Sequence, residues 1–148
     1  MPANEIATEG LRPFFETLQG LSAASDIEGL AAMYAPTVMI AGPNGTRTVA
    51  AADMLQAIPK RQQLFKSAGH RRTTLVGFEE RVVTDRYSLV TADWQWEFQG
   101  PGAAPSVVTL PSTFLVDRAG DAPHIFVYVM HHDIGEELRQ RGLLPPAA

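Results

Sequence analysis

The chain has 148 residues, a formal net charge of −4 and no cysteine. This length fits one domain with a single core, and the lack of cysteine excludes disulfides, thiolate metal ligands and thiol nucleophiles. No segment approaches the about 20 apolar residues of a membrane helix, and the first residues lack a basic stretch followed by an apolar run. We therefore expect one cytoplasmic domain over residues 1–148, with residues 143–148 as a flexible tail.

Basic residues are concentrated in one short segment, Lys60–Arg72, which contains no acidic residue. Proteins that bind nucleic acids normally carry a basic excess over a whole face, with aromatic residues interleaved for stacking. Because the rest of this chain is acidic, the sequence indicates no nucleic-acid partner. The segment lies around the end of the predicted third helix, where cations stabilise the helix dipole. A funnel for an anionic substrate is the alternative explanation.

The first two elements are predicted to be helices. In the first helix, apolar residues recur at spacings of three and four, namely Leu11, Phe14, Phe15, Leu18 and Leu21. This stripe is typical of an amphipathic helix with Pro13 in its first turn. Ser25 and Glu28 have the spacing of a capping box, which predicts a second helix from Asp26 to about Tyr34, ended by Pro36.

A short hairpin and a third helix follow. Thr37–Ala41 is apolar and β-branched, and the turn residues of Gly42–Gly45 predict a hairpin after it. The helical pattern of Val49–Ala68 contains Pro59, which removes a backbone donor and should kink or split the helix. Gly69 is then the predicted C-terminal stop.

The rest of the chain changes to a period of two and predicts an antiparallel meander. Its four predicted strands are Thr73–Val83, Arg86–Gln99, Ser106–Asp117 and His124–Asp133. A last helix is predicted around Gly135–Arg141. Helices followed by a long meander favour a sheet that curls around the helices and leaves a hollow between them.

The order of these elements and several local patterns resemble the nuclear-transport-factor-2-like superfamily, particularly its SnoaL-like branch. The patterns are Phe14-Phe15, Leu30–Pro36, Val90–Trp94 and a last strand that ends near His131. The resemblance implies an α+β fold of the cystatin-like barrel type, in which a curved antiparallel or mixed sheet forms a cone around three N-terminal helices. It also implies an internal cavity and dimerisation through the sheet. The superfamily includes isomerases, dehydratases, cyclases, epoxide hydrolases and non-enzymatic binders, so this fold does not decide the function.

The polar cluster at the end of the last strand supplies the candidate catalytic residues, His131, His132 and Asp133. Because neighbouring strand residues project to opposite faces, His131 and Asp133 should share one face and His132 the other. A histidine oriented by a carboxylate can remove a proton next to a carbonyl. This makes His131 with Asp133 the first candidate pair and His132 the second candidate base. The alternative is that these residues only finish the strand at the rim.

Aromatic residues are the candidates for binding a ligand, namely Tyr34, Trp94, Trp96, Phe14 and Tyr128. Trp94 and Trp96 share a strand face with the small Ala92, which would leave room for a flat apolar molecule. Packing in the core or at an interface is the other interpretation of the two indoles. Asp93 faces the opposite side and becomes a candidate base only if that side is concave.

From these features we expect a small-molecule pocket protein, specifically a SnoaL-like acid–base isomerase, cyclase or dehydratase that acts on a small apolar carbonyl or polycyclic compound. The alternative is a non-catalytic ligand-binding or dimeric interaction domain of the same fold. A histidine or aspartate inside the cavity would favour the enzyme, and a wholly apolar cavity the binder. The sequence indicates no cofactor, no metal and no membrane partner. Both faces of the last strand are apolar, which predicts a homodimer through the sheet unless the last helix covers one face.

Overall fold

The computed structural model describes residues 10–145, which form five helices and one six-stranded sheet. The helices are α1 (Arg12–Ala23), α2 (Ile27–Ala31), α3 (Ala51–Leu55), α4 (Ile58–Ser67) and α5 (Ile134–Gln140). The strands are β1 (Tyr34–Gly42), β2 (Gly45–Ala50), β3 (His70–Val82), β4 (Tyr87–Phe98), β5 (Ser106–Asp117) and β6 (His124–Met130). Within this range no helix has the length and apolar character that crossing a membrane requires.

The sheet has the strand order β2-β1-β6-β5-β4-β3. All neighbouring strands are antiparallel except β1 and β6, which are parallel. The predicted meander is therefore continuous from β3 to β6, and the β1–β2 hairpin extends it beyond β6. The α+β fold with a curved mixed sheet around the helices is confirmed.

Helix α1 is held against the concave face of the sheet by Phe15, which has no exposed surface. Its ring centroid lies 4.8 Å from that of Phe114 on β5 and 5.8 Å from that of Phe78 on β3. Full burial of a side chain of this size contributes roughly 1.5–3 kcal/mol. Phe15 therefore joins the first helix to two strands that are distant in the sequence.

A buried polar contact fixes the beginning of the same helix. The backbone N–H of Leu11 donates to Glu80 Oε1 at 2.8 Å, and the hydroxyl of Ser88 donates to Glu80 Oε2 at 2.7 Å. Ser88 has no exposed surface, so its hydroxyl needs such a partner. The carboxylate of Glu80 thus links α1 to β3 and β4.

The second helix is shorter than predicted, because the chain enters the sheet earlier. Helix α2 ends at Ala31, and Tyr34 is the first residue of β1, where it pairs with Ile125. Pro36 cannot donate to a strand neighbour, and the pairing of β1 with β6 shifts register between Tyr34 and Met39. Pairing with strands on both sides outweighs the local helical pattern.

The ends of the helices show which local sequence signals predicted a helix boundary correctly. Asp26, and not Ser25, caps α2, because its carboxylate accepts a hydrogen bond from the Gly29 N–H at 2.9 Å. The predicted split at Pro59 is confirmed, with Pro59 in the first turn of α4. Gly69 follows that helix with a φ of +88°, a conformation that glycine adopts readily.

The C-terminal part departs from the predicted strand. β6 ends at Met130, because Asp133 caps α5 by accepting a hydrogen bond from the Glu136 N–H at 3.2 Å. The first residues of the predicted tail lie against this helix. The N–H of Leu143 donates to the Leu138 carbonyl at 2.8 Å, and Leu144 is buried. Residues 146–148 lie outside the described part of the chain.

Replacing Gly69 with alanine should lower the free energy of unfolding by roughly 1–3 kcal/mol. An added Cβ would lie 2.7 Å from the Gln99 carbonyl, in a backbone conformation unfavourable for alanine. Gly20 is the matched control, because it lies within α1 and an added Cβ meets nothing within 4 Å. Gly20→Ala should raise the free energy of unfolding by roughly 0.5–1 kcal/mol. Urea unfolding measures both changes, and a Gly69→Ala protein as stable as the original would contradict the expectation.

Candidate functional site

A cavity of about 490 Å³ lies between the helices and the concave face of the sheet. All five described helices contribute to its wall, together with the inner residues of the strands. Its aromatic lining consists of Tyr34, Trp94, Trp96, Phe114 and Tyr128. A cavity of this size and apolar character is typical of small-molecule sites.

The aromatic walls follow from the alternation of the strands. On β4, Trp94 and Trp96 lie on the concave face with Ala92, the arrangement predicted from the period of two. On the neighbouring pair of strands, Phe114 and Tyr128 are cross-strand partners, and their rings stack at 5.0 Å with planes 14° apart. Two flat surfaces therefore face one hollow.

Tyr34 supplies a hydrogen-bond donor to this cavity. Burial raises the pKa of its phenol above the ordinary value, and the nearby Tyr128 raises it further. The positive charge of Arg61 acts in the opposite direction on the pKa. Tyr34 consequently stays protonated at neutral pH and can donate its hydroxyl proton to a bound oxygen.

His70 is a functional candidate that the sequence did not single out. It is the first residue of β3 and lines the cavity, with Nε2 2.8 Å from Thr73 Oγ1. Its ring centroid lies 5.6 Å from that of Trp96, 5.4 Å from that of Phe98 and 6.2 Å from that of Phe65. The imidazole is thus oriented by one hydroxyl and surrounded by aromatic rings.

This environment determines the charge of His70. Burial lowers the pKa of the imidazole below its ordinary value, and a hydrogen bond with the backbone of Arg72 opposes the change only in part. At neutral pH the ring is therefore uncharged and can accept a proton. The sequence signal was the basic segment Lys60–Arg72, but the strand was predicted to begin at Thr73, which left His70 outside it.

The three predicted catalytic residues separate at the end of β6. His132 lines the cavity, and its Nδ1 lies 3.6 Å from Glu137 Oε1 on α5. His131 projects to the convex side, where its Nε2 lies 2.6 Å from Thr113 Oγ1. Asp133 is occupied as the cap of α5. The structure therefore places His132, and not the pair of His131 with Asp133, at the large cavity, because neighbouring residues alternate between faces.

At the rim, however, His131, His132 and Asp133 all line a second, more open depression of about 440 Å³. The other residues of its wall include Asn44 and the two glutamates Glu136 and Glu137. In the part of the chain from residue 10 to residue 145, no three histidine or acidic side chains come together as metal ligands.

Two other sequence candidates lie away from the large cavity. Phe14 packs edge-on against Phe15 at a centroid distance of 5.3 Å, as part of the core around α1. Asp93 alternates with the tryptophans of β4 and so lies on the convex face, where it pairs with Gly77. The other four predicted ligand-binding residues, Tyr34, Trp94, Trp96 and Tyr128, all line the cavity.

Comparison with solved structures identifies the fold. An NTF2-like protein with a cystatin-like fold from Novosphingobium aromaticivorans has a TM-score of 0.70 at 13% identity, covering 94% of this chain and 89% of that one. A putative scytalone dehydratase from the same organism has a TM-score of 0.64 at 12% identity, covering 86% and 84% respectively. The β subunit of a putative aromatic-ring-hydroxylating dioxygenase, also from that organism, has a TM-score of 0.63 at 10% identity, covering 89% and 92%. No protein-family model and no curated protein matches the chain.

The fold is therefore that of the NTF2-like proteins. This confirms the fold that the sequence resemblance implied. By their descriptions, the two other neighbours are a putative dehydratase and the β subunit of a putative dioxygenase. Because one fold supports different chemistries, the residues of the cavity have to support any functional conclusion.

His70 should titrate below the ordinary histidine pKa of 6.5, because burial disfavours its charged form. As the pH falls below about 6.5, the unfolded chain binds this proton before the folded chain does, so the free energy of unfolding should decrease. The decrease should stop once the pH is below the pKa of folded His70. Imidazole NMR shifts measure the titration, and urea unfolding at several pH values measures the stability.

A His70→Gln protein is the control for both measurements. It should lack one imidazole resonance, which assigns the His70 signal, and its stability should vary less with pH over the same window. An assigned His70 signal that titrates at or above the ordinary pKa would contradict the expected desolvation.

Proposed function

We propose that this protein is a cofactor-independent acid–base enzyme, an isomerase, cyclase or dehydratase of the SnoaL-like type, acting on a small and largely apolar carbonyl compound. The observation that carries the proposal is that two histidines, His70 and His132, line the same aromatic cavity. A binding pocket for an apolar molecule has no need of them, whereas proton transfer does.

His70 is the leading candidate for the general base. Its lowered pKa keeps the imidazole uncharged at neutral pH, and the aromatic rings around it exclude water from part of its surface. His132 is the second candidate, with the carboxylate of Glu137 3.6 Å from its Nδ1 and its ring at the cavity wall. Each of them can take a proton from a carbon next to a carbonyl group.

The partner of such a base is a donor to the carbonyl oxygen. When the base removes the proton, the electron pair of the C–H bond moves towards the carbonyl oxygen, which becomes an enolate. The protonated hydroxyl of Tyr34 can stabilise that charge with a hydrogen bond. If the enolate is conjugated with a C=C bond, return of the proton from the imidazolium to the far carbon of that bond completes an isomerisation. If the carbon next to the α-carbon carries a hydroxyl, the imidazolium can protonate that hydroxyl, which leaves as water and completes a dehydration.

The structural neighbours give this proposal limited support. One neighbour with the same fold is a putative scytalone dehydratase, and dehydration is within the chemistry described above. Another is the β subunit of a putative dioxygenase, which agrees with the alternative of a non-catalytic binding or interaction domain. The two histidines in the cavity favour the enzyme.

A proton-exchange assay tests the proposal before the natural substrate is known. 2-Tetralone, a flat ketone with exchangeable α-protons, is incubated with the protein in D₂O, and NMR follows the loss of the α-proton signal. The protein should accelerate exchange above the buffer rate. His70→Gln should reduce the acceleration by about 100-fold or more if it is the base, since a positioned base contributes roughly 10²–10⁴-fold.

Matched histidine variants decide which residue acts. His132→Gln tests the second candidate, and His124→Gln is the control because His124 begins β6 outside the cavity wall. His131→Gln tests the pair of His131 with Asp133. If only this variant lost the acceleration, His131 would be the general base. No acceleration by the original protein, together with measurable binding of the ketone, would support the non-catalytic alternative.

The convex face of the sheet supports a second proposal, that the chain forms a homodimer. A row of aligned apolar residues crosses four strands of this face, namely Met39, Val127, Leu115 and Leu89. Met39 is 46% exposed. Helix α5 does not cover this row, because its buried Leu138 packs with Phe65, Phe98 and Val108 at the concave side. A second copy of the same face would bury the row.

Leu115→Glu should shift the protein from dimer to monomer, because it places a charge in the middle of the row. Light scattering after size-exclusion chromatography measures the mass, and circular dichroism shows that the variant is folded. Val83→Glu is the control, since Val83 is 56% exposed, directly follows the end of β3 and lies outside the row. If the unsubstituted protein has the mass of a monomer, the dimer proposal is wrong.

A further inference from the structure

Arg61 is a cation in the wall of the apolar cavity. It lies on α4 and is partly buried, with its guanidinium carbon 5.7 Å from the centroid of the Phe65 ring. Phe65 also contacts Trp96 at 5.0 Å and His70 at 6.2 Å between ring centroids. The guanidinium is thus separated by a single ring from the indole and the imidazole of the candidate site.

The guanidinium of Arg61 has a donor that no described residue satisfies. Among residues 10–145, its Nε is enclosed by protein atoms and has no hydrogen-bond partner. The ion pairs found in the same range involve other arginines and His132, and none includes Arg61. A buried donor without a partner costs about 1–3 kcal/mol, more for a charged group. Because Arg61 lines the cavity and has no counter-charge among the described residues, an anion in the cavity can supply one to the guanidinium.

The same cavity wall contains further donors. Tyr34 and Tyr128 line the cavity together with Arg61, and the positive charge of Arg61 lowers the pKa of the Tyr34 phenol. A guanidinium offers two parallel N–H groups, a geometry that matches the two oxygens of a carboxylate. A phenol beside it adds an O–H donor to the same acceptor.

The other charges of the cavity leave this position available to an anion. Arg47 also lines the wall, and the one carboxylate of the described lining is Asp53. Asp53 is exposed on α3 and makes no ion pair with Arg61 among the described residues. The walls around the guanidinium are aromatic, so a monoanion on a flat apolar body fits better than a phosphate, which usually takes several cations or backbone N–H groups.

We propose that the cavity binds a small aromatic or polycyclic carboxylic acid, whose carboxylate is held by Arg61 and Tyr34 while its rings lie between the aromatic walls. This proposal names the substrate class of the site described above. As a statement about a substrate it rests on the proposed function, whereas the binding of the carboxylate stands on the cavity alone.

Isothermal titration calorimetry with two probes of similar shape tests the proposal. The probes are 2-naphthoate and 2-acetylnaphthalene, which share the ring system and differ in the charge of the substituent. The original protein should bind the naphthoate at least tenfold more tightly than the ketone. Arg61→Gln should weaken naphthoate binding by about ten- to a hundredfold, the range expected for a charged hydrogen bond, and should remove the preference between the probes.

Lys60→Gln is the matched control, because Lys60 is the exposed neighbour of Arg61 on α4 and lies outside the cavity wall. It removes the same charge and should leave the preference for naphthoate intact. Equal affinity of the original protein for the two probes, binding of neither, or an equal loss in Lys60→Gln would each overturn the proposal. If Arg61→Gln does not fold, Arg61→Lys takes its place. Lysine keeps the charge but loses the paired N–H groups, so naphthoate binding should weaken while ketone binding stays unchanged, and undiminished naphthoate binding would overturn the proposal.

The two hypotheses about this cavity can fail separately. A preference for naphthoate without any acceleration of proton exchange would retain the carboxylate site and remove the enzymatic function. Proton exchange on the ketone with no preference for naphthoate would retain the enzyme and remove the carboxylate site.

Discussion

The structure depends on the way helix α1 fills one end of the concave sheet. Phe15 is completely buried there against Phe78 and Phe114, and Glu80 ties the start of the helix to the strands. At the other end no comparable side chain of residues 10–145 fills the space, which leaves the cavity of about 490 Å³. The polar groups in its wall allow water or a ligand to occupy this space.

The apolar surroundings determine the protonation states of two of these polar groups, His70 and Tyr34. The rings that enclose His70 keep it uncharged, and burial keeps the Tyr34 phenol protonated. One group is thus prepared to accept a proton and another to donate a hydrogen bond, although both belong to the same cavity. This pairing of an uncharged base with a protonated donor is what proton transfer next to a carbonyl requires, and it results from burial acting on two groups of opposite type.

Much of the fold was accessible from the sequence, because its long strands alternate regularly and its turns contain glycine and proline. The period of two on β4 placed Trp94 and Trp96 on one face, and the same argument separated His131 from His132. Prediction was wrong where distant pairing decides the local structure. Tyr34 continues a helical pattern in the sequence but lies in a strand, because β6 provides a partner for it at Ile125. His70 was missed for a related reason, since its place in the cavity depends on the turn at Gly69 and on the packing of α4 against β3.

The charge of Arg61 acts both on the phenol of Tyr34 and on any negative charge that a ligand brings into the cavity. A cation near Tyr34 counteracts the rise in the pKa of the phenol, so it strengthens the phenol as a hydrogen-bond donor without ionising it. The same positive field favours any negative charge in the cavity, whether a carboxylate that is present from the start or an enolate that forms when a proton is removed. A ligand anchored by its carboxylate would also be oriented by the flat walls of Trp94 and Tyr128, which restrict its rings to a plane. Binding and proton removal would then use different atoms of one ligand, held by groups that the curved sheet already places around a single hollow.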